Sequence, residues 1–458
     1  MSDKRQKRQL ELAFAWEQKG EARRHPGKGT ESPEAENRTE SPAAQERVME
    51  EVCEVRNLKG ALRRVKQNGG SAGIDGMTVA ELPQYLIGQW SEIRESLLKG
   101  TYRPQPVRRV EIAKPNGGTR SLGIPTVVDR LVQQALMQVL QREWEPRFSE
   151  HSYGFRPERS AHQAVAKAQQ YIAEGYRWVV DVDLEKFFDR VNHDRLMQRV
   201  AERVSDKRAL RLIRRMLEAG VMREGLVSPT DEGTPQGGPL SPLLSNIVLD
   251  ELDQELERRG HRFVRYADDC NVYVSSERAG KRVMDSLRRY LTGKLRLRIN
   301  EEKSAVARPW RRKYLGFSFT SCNKAKRRIA PQALERFKKR VRELTRRTRG
   351  KSVREIVSEL NTYLSGWIGY FGYAQTKSVI AELNGWIRRR LRSLIWKQWR
   401  TWKRRSKELR RLGLDERTAN RVAATRRGPW FTANSAPLKE TLTETYFARL
   451  GLIVLRTT

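Results

Sequence analysis

The sequence predicts an α+β fold with an all-helical region after it. Three observations predict this. Between about residues 101 and 328, short β-patterned stretches alternate with helical ones. One of them, RFVRYADDCNVYV, reads as a strand, a tight acidic turn and a second strand. After about residue 328 the strand patterns cease and amphipathic helical patterns take over.

The elements follow in chain order. Residues 1–45 form a polar leader whose HPGKGTESPEAENRTESPAA stretch is too poor in apolar residues to bury a core. A helix is expected from about Ser41-Pro42, because Val48, Met49, Val52, Val55, Leu58, Leu62 and Val65 follow helical spacing. Asn68-Gly69-Gly70 would end it. PVRRVEIAKPNGGTRSLGIPT alternates through Val107, Val110 and Ile112, turns at PNGG and resumes at Leu122 and Ile124, which is a hairpin pattern. VDRLVQQALMQVLQREW is helical, RWVVDVDLEKFF is a buried strand running into a helix start, and SPLLSNIVLDELDQELERRG is a helix stopped by Gly260. Beyond the boundary near 328, ALERFKKRVRELTRRT, REIVSELNTYLSGWIGYF and Ser378 to Leu412 read as helices. The tail from 413 to 458 is mixed and basic, with a breaker at Gly428-Pro429.

Length and charge narrow the function classes. A chain of 458 residues holds roughly two to four domains of roughly 100–200 residues each. Lys and Arg total 91 against 55 Asp and Glu, a net charge of +36. An excess of that size calls for a polyanion, and nucleic acid is the first candidate, because phosphate neutralisation releases condensed counterions. No apolar run reaches the roughly 18 residues that a membrane span requires. The N-terminus MSDKRQKRQLELAFAWEQKG has no apolar signal core, so a cytoplasmic chain with no membrane partner is expected. Cys53, Cys270 and Cys322 are too scattered for a disulfide framework or a zinc site, and each is expected in or near a core.

Chemistry concentrates in the carboxylates. Joining a 3′-hydroxyl to an α-phosphate asks a protein to hold two divalent cations about 3.5–4 Å apart. Mg²⁺ prefers hard carboxylate and phosphate oxygens, so rigid neighbouring strands must supply two or three carboxylates. Asp268 and Asp269 sit between two apolar strands, at the tip of the expected hairpin. Asp183 ends the apolar strand Trp178-Val179-Val180. Alone, Asp268-Asp269 reads more readily as a polar turn, and Asp183 as a helix N-cap, than as a catalytic set. Their combination is what points to catalysis.

Longer blocks point to a family. In order they are PVRRVEIAKPNGGTRSLGIPTVVDRLVQQAL, HSYGFRPERSAHQAV, VVDVDLEKFFDRVNHDRL, GTPQGGPLSPLLSNIVLDELD, RYADD, LRINEEKS and KYLGFSF. From about residue 46 onward the chain resembles bacterial group II intron-encoded reverse transcriptases, also called maturases, of the compact type without an endonuclease domain. The resemblance implies a right-hand polymerase: fingers and palm over 46–328, a helical thumb or X domain over 329–412, and a DNA-binding-like segment over 413–458. It implies RNA-directed DNA synthesis with deoxynucleoside triphosphates, an RNA template with a DNA primer, two Mg²⁺ ions (Mn²⁺ as the alternative), group II intron RNA as a splicing partner and a target DNA.

By the same resemblance the YADD box falls on Tyr266-Ala267-Asp268-Asp269, and the third metal-binding carboxylate on Asp183. Asp181, on the same strand face, is its rival. Asp183 is preferred because Phe188 then matches the family's sugar gate, and one of the neighbours Phe187 and Phe188 is expected in the core, since both cannot face the pocket. Lys114 and Arg120 would lie in the fingers over the triphosphate, where Arg binds phosphate bidentately and Lys acts as a point charge. Gln236 would line the sugar and base, Gly237 would allow close backbone approach, and Lys303 is a further phosphate candidate. Arg388, Arg389, Arg390, Lys397 and Arg400, interleaved with tryptophans, would contact RNA, although most of those tryptophans are expected in the core. With five histidines and no paired-cysteine motif, no His-Asn-His nuclease is expected. A free-standing reverse transcriptase in a repair, retron-like or CRISPR-linked setting, and an RNA-binding splicing factor without required polymerase activity, are the alternatives.

Overall fold

In chain order the helices of the N-terminal part are α1 (Val48–Val52), α2 (Val55–Asn68), α3 (Leu82–Leu98), α4 (Val127–Trp144), α5 (Ala161–Ala173), α6 (His193–Ala201), α7 (Lys207–Glu218), α8 (Ser241–Arg258) and α9 (Glu277–Tyr290). The strands are β1 (Val107–Ala113), β2 (Thr119–Ile124), β3 (Trp178–Val182), β4 (Val221–Arg223), β5 (Leu226–Ser228), β6 (Arg262–Tyr266), β7 (Asp269–Val274) and β8 (Ala305–Ala307). The structure is a computed structural model that describes residues 46–113, 119–223, 226–228 and 237–457. The chain forms two compact units. Of the described residues, the first takes in those up to Ser160 and those within Val180–Val274 and Arg278–Val306; the second takes in those within Ala161–Val179 and Ser275–Glu277 and those from Ala307 onward.

Two four-stranded sheets organise this part. One has the order β2-β1-β4-β5, with β1 and β2 antiparallel and Ala113 opposite Thr119 at the turn end. The other has the order β6-β7-β3-β8. β6 and β7 are the expected hairpin, antiparallel from Arg262 opposite Tyr273 to Tyr266 opposite Asp269. The core of the first unit gathers around α4 and α8, each buried over most of its surface from Val127 to Trp144 and from Ser241 to Leu256. Thr126 caps α4 by accepting from the Asp129 amide. Asn57 on α2 donates to the Ala135 carbonyl at 3.0 Å, tying those two helices together.

Several local readings differ from the sequence expectation. The helix expected to run unbroken to Asn68 is broken at Cys53 and Glu54, where Glu54 is extended at φ −63° and ψ 139°. The break lets α1 pack on α3, α4 and α7 while α2 packs on α4. The start of that expected helix, at Ser41-Pro42, lies outside the described residues. Secondly, no helix begins at Asp183. A short 3-10 turn, Phe187–Asp189, follows β3, and α6 starts only at His193, capped by Asn192. Thirdly, Cys53 and Cys270 are buried but Cys322 is exposed.

The second unit holds the antiparallel pair β9 (Phe317–Phe319) and β10 (Arg327–Ile329), α5, and the helices α10 (Pro331–Leu344), α11 (Val353–Phe371) and α12 (Lys377–Gln398). It continues with α13 (Trp402–Arg411), α14 (Glu416–Ala423), α15 (Pro429–Thr432), α16 (Ala436–Thr441) and α17 (Glu444–Arg449). Ser352 and Glu355 form a reciprocal capping box on α11. Phe337 and Trp367 meet with ring centroids 4.2 Å apart, and Phe317 and Phe371 at 5.4 Å, in an aromatic core. The helix expected from Ser378 to Leu412 ends at Gln398 and restarts at Trp402. The tail folds back onto these helices: Asn361 donates to the Gly451 carbonyl and Asn384 to the Leu455 carbonyl. Among the described residues, no helix is long and apolar enough to cross a membrane.

Candidate active site

The register of β6 and β7 leaves Ala267 and Asp268 as a two-residue hairpin loop. Such loops favour turns with a positive φ at the first loop position, because only those match strand twist. Ala267 adopts φ 56°, a conformation that costs a non-glycine residue roughly 1–2 kcal/mol. The turn needed to place Asp268 at the tip therefore exists, with an alanine held in it.

Three features surround the loop. The chain from His151 to Tyr153 runs beside β6, with Arg265 N donating to His151 O and Tyr153 N to Arg265 O, both at 2.9 Å. Gly154 then lies directly against the loop: a Cβ there would stand 2.2 Å from Ala267 N. Beneath the loop, Arg265 is fully buried and donates to the Ala267 carbonyl at 2.9 Å. Phe155 and Tyr266 stand 6.3 Å apart on the outer side.

β3 lies next to β7 in the sheet. With its amide nitrogen facing β3, Asn271 donates to Asp181 Oδ1 at 3.0 Å, which sets Asp181 beside the middle of β7. The charges of Asp181 and Asp269 are felt by the same side chains. Burial first, then Asp253, Asp269 and Asp181, push the Cys270 thiol up, with Arg265 opposing. Burial, then Asp181 and Asp269, likewise raise the Tyr273 hydroxyl, against a hydrogen bond with Asn271. Asp181 is buried, whereas the Asp183 side chain is 39% exposed. The LRINEEKS block fixes Asp183 by its backbone. Asn300 N donates to Asp183 O at 2.8 Å, and Asp183 N donates to Ser304 Oγ at 2.9 Å. Lys303 Nζ stands 3.4 Å from Asp183 Oδ1.

The other expected residues fall as follows. Phe187 is buried and Phe188 half-buried, their rings edge-on at 5.3 Å. Gly237 has φ 132°, and a Cβ on it would come within 2.5 Å of Gly123 O, so the backbone does approach closely there. Arg120 lies on β2 opposite Ile112. Lys114 and Gln236 lie outside the described residues. In the second unit, Arg388 pairs with Glu444 at 2.7 Å and Arg390 donates to Thr345 Oγ1 at 3.0 Å. Arg389 covers the Trp430 ring at 4.1 Å, and Lys397 and Arg400 are exposed. Trp367, Trp396 and Trp399 are buried, but Trp402 is 55% exposed. Sequence reasoning passed over Arg265, Asn246, Asp253 and Gly154, although all four sit in the blocks that carried the resemblance.

The donor set suits a hard divalent ion. Asp181, Asp183, Asp268 and Asp269 offer only carboxylate oxygens, on adjacent strands and one loop. Among the described residues, no three His, Cys, Asp or Glu side chains close on one point so as to hold a metal.

The class to which the chain belongs is specified by its likeness to known proteins. The family profile described as reverse transcriptase (RNA-dependent DNA polymerase) matches residues 112–319, and the one described as group II intron, maturase-specific domain matches residues 334–413. Protein YkfC of Escherichia coli (strain K12) is 36% identical over 272 residues, 51% of this chain and 71% of that protein. The group II intron-encoded protein LtrA of Lactococcus lactis subsp. cremoris is 32% identical over 280 residues, 47% of each chain. The putative COX1/OXI3 intron 2 protein of Saccharomyces cerevisiae is 30% identical over 244 residues, 53% of this chain and 27% of that protein. The match therefore spans less than half of the latter two relatives. The enzymatic class is RNA-directed DNA polymerase. The chain belongs to the group II intron-encoded reverse transcriptase and maturase family.

Proposed function

We propose that this chain copies group II intron RNA into DNA, extending a DNA primer on an RNA template with deoxynucleoside triphosphates, and that it binds the same intron RNA to assist splicing and mobility into a target DNA. The observation that carries the reading is the acidic hairpin tip at the start of β7, the strand next to β3, within a chain matched by the reverse transcriptase profile. Fingers and palm would run over 46–328, the thumb over 329–412 and a DNA-contacting segment over 413–458, acting in the cytoplasm.

Asp183, Asp268 and Asp269 hold the metal in this reading, with two Mg²⁺ ions preferred and Mn²⁺ able to serve. Bound there, divalent ions lower the pKa of the attacking 3′-hydroxyl and offset charge on the departing pyrophosphate. Asp183 is fixed through its backbone by Asn300 and Ser304, so its carboxylate is presented from a rigid strand end. Lys303, beside Asp183, is placed to meet a phosphate oxygen as a point charge. Lys114 and Arg120 grip the triphosphate from the hairpin of β1 and β2, and Gln236 lines the sugar and base. Half-buried Phe188 forms the wall under the deoxyribose, where a 2′-hydroxyl would clash.

The test is primer extension on an RNA template, coupled to splicing of the intron that carries the reading frame at low Mg²⁺. Asp268→Asn and Asp183→Asn should each lower DNA synthesis at least about 10³-fold, since each removes a charge that binds the metal. Splicing support should survive both. Undiminished synthesis removes the polymerase assignment. Splicing that is indifferent to added protein removes the maturase role and leaves a free-standing reverse transcriptase.

A further inference from the structure

Arg265 lies at the centre of a buried junction to which the chemistry just described gives no part. It is 0% exposed, as is Asp253 on α8. Its guanidinium makes four hydrogen bonds. Nε donates to Asp253 Oδ1 at 2.7 Å and Nη2 to Asp253 Oδ2 at 2.5 Å, a bidentate pair. Nη1 donates to Asn246 Oδ1 at 3.0 Å and to the Ala267 carbonyl at 2.9 Å. Asn246 and Asp253 are two turns apart on α8 and so face the same way. The Asn246 amide then donates to Gly154 O at 2.9 Å, and Gly154 is the residue pressed against the Ala267 backbone. One guanidinium therefore joins a helix, the hairpin loop and the strap that covers it.

Stability does not explain this arrangement. Desolvating two charges costs about as much as their attraction returns, and a well-packed apolar pair of similar volume does as well or better. Apolar side chains cannot donate to the Ala267 carbonyl, though, and Ala267 is the residue held at φ 56°. A left-handed alanine persists only where its surroundings over-determine it. Here they do so twice, from below through Arg265 and from above through Gly154. Burial works against the Arg265 cation, but the Asp253 charge and hydrogen bonds hold it above its ordinary range, so it stays ionised.

We propose that Arg265, gripped by Asp253 and Asn246, is a positioning residue that fixes the Ala267-Asp268 loop and so sets where the Asp268 and Asp269 carboxylates stand. The inference rests on the reading of those two aspartates as metal-binding groups. Arg265 touches no substrate and acts through the loop backbone.

The test uses the full chain and three variants: Arg265→Lys, the paired Arg265→Met with Asp253→Leu, and Asp268→Asn as reference. Three quantities are read: thermal unfolding, amide hydrogen exchange across 262–274 without metal or nucleotide, and the Mg²⁺ concentration for half-maximal primer extension. The paired variant should stay folded with only a modest fall in unfolding temperature, because neither charge is stranded although the Asn246 and Ala267 oxygens lose a donor. Exchange at the loop should quicken at least tenfold, the Mg²⁺ midpoint should rise several-fold, and turnover should fall about 10²-fold, as an ångström of misplacement does. Lysine keeps the charge but lacks the fork to reach Asp253, Asn246 and Ala267 together, so Arg265→Lys should show the same shifts. A merely structural role lowers the unfolding temperature and the active fraction but leaves the Mg²⁺ midpoint in place. A folded paired variant, or a folded Arg265→Lys, with parental exchange and parental Mg²⁺ midpoint overturns the proposal. Full synthesis by Asp268→Asn overturns the reading of the aspartates instead, and hydrogen exchange still decides the clamp.

Discussion

Gly154 shows how much one missing side chain can carry. Its carbonyl is used by Asn246 and its α-carbon lies where any Cβ would meet the Ala267 amide at 2.2 Å. The obstacle is backbone, which cannot swing aside as the end of a long side chain would. Gly154→Ala should therefore displace the hairpin loop or the strap. Overpacking of this kind costs about 1–3 kcal/mol, and primer extension should fall about 10²-fold while RNA binding by the helical unit is kept. Primer-extension rates and an RNA gel shift on one preparation check this; parental synthesis would mean the loop tolerates displacement. Ala267 and Asp183 make the complementary point. Neither is unusual as a letter, yet one is held left-handed and the other is fixed through both its amide and its carbonyl.

At the scale of elements, α8 is the helix on which the hairpin rests. It presents Asn246, Asp250 and Asp253, with Ser241 and Ser245, from a buried surface that is otherwise apolar. Asp250 is the poorly satisfied member: Oδ2 accepts from Gln254, and Arg199 is 3.9 Å away. Burial first, then the charge of Asp253, push the Asp250 carboxyl up to about 6, against Arg265, Arg199 and Gln254. Its ordinary value is 3.8. A folded-state value above the unfolded one stabilises the fold at low pH, fully below the unfolded value, and that contribution is lost as pH rises through about 6. Asp250→Asn should thus stabilise the protein by about 2–3 kcal/mol near pH 8, with the gain shrinking as pH falls below about 6. Thermal unfolding across that range reads it, and a gain that does not depend on pH would contradict the assignment. β3 teaches a different lesson about elements. Its strand character was legible from Trp178-Val179-Val180, but the helix expected at its end starts only after Asn192.

For the molecule as a whole, the net charge of +36 asks for a polyanion, and the second unit shows how part of that charge is displayed. Arg389 stacks on Trp430 at 4.1 Å and Arg427 on Phe431 at 4.4 Å, while Trp430 and Phe431 are 36% and 56% exposed. Exposed aromatics beside arginines suit stacking on unpaired bases, worth about 1–3 kcal/mol per base. Trp430→Ala with Phe431→Ala should weaken binding to an unstructured RNA about 5- to 100-fold and leave its salt dependence nearly unchanged. Lys397→Gln with Arg400→Gln should instead flatten that salt dependence by roughly one to two ions. Filter binding across a salt series separates the two, and equal loss of slope in both would show that the aromatics act only as supports. Arg388, Arg389 and Arg390 are partly engaged within the fold, in contacts that their spacing among tryptophans did not reveal.

Sequence alone determined the alternation of strands and helices, the acidic hairpin, the polyanion-binding charge and, through its ordered blocks, the family. These are properties of local pattern and chain order, and periodicity records them directly. Only the tertiary structure decided that α1 and α2 part company at Glu54, that Asp181 is buried beside Asn271 while Asp183 is half exposed next to Lys303, and that the tail folds back through Asn361 and Asn384. It also decided that Gly154, Asn246, Asp253 and Arg265 meet around one loop. Those contacts join residues up to 113 positions apart, from Gly154 to Ala267. Their energies come from burial, close approach and shared hydrogen bonds, quantities that exist only once distant segments are packed together.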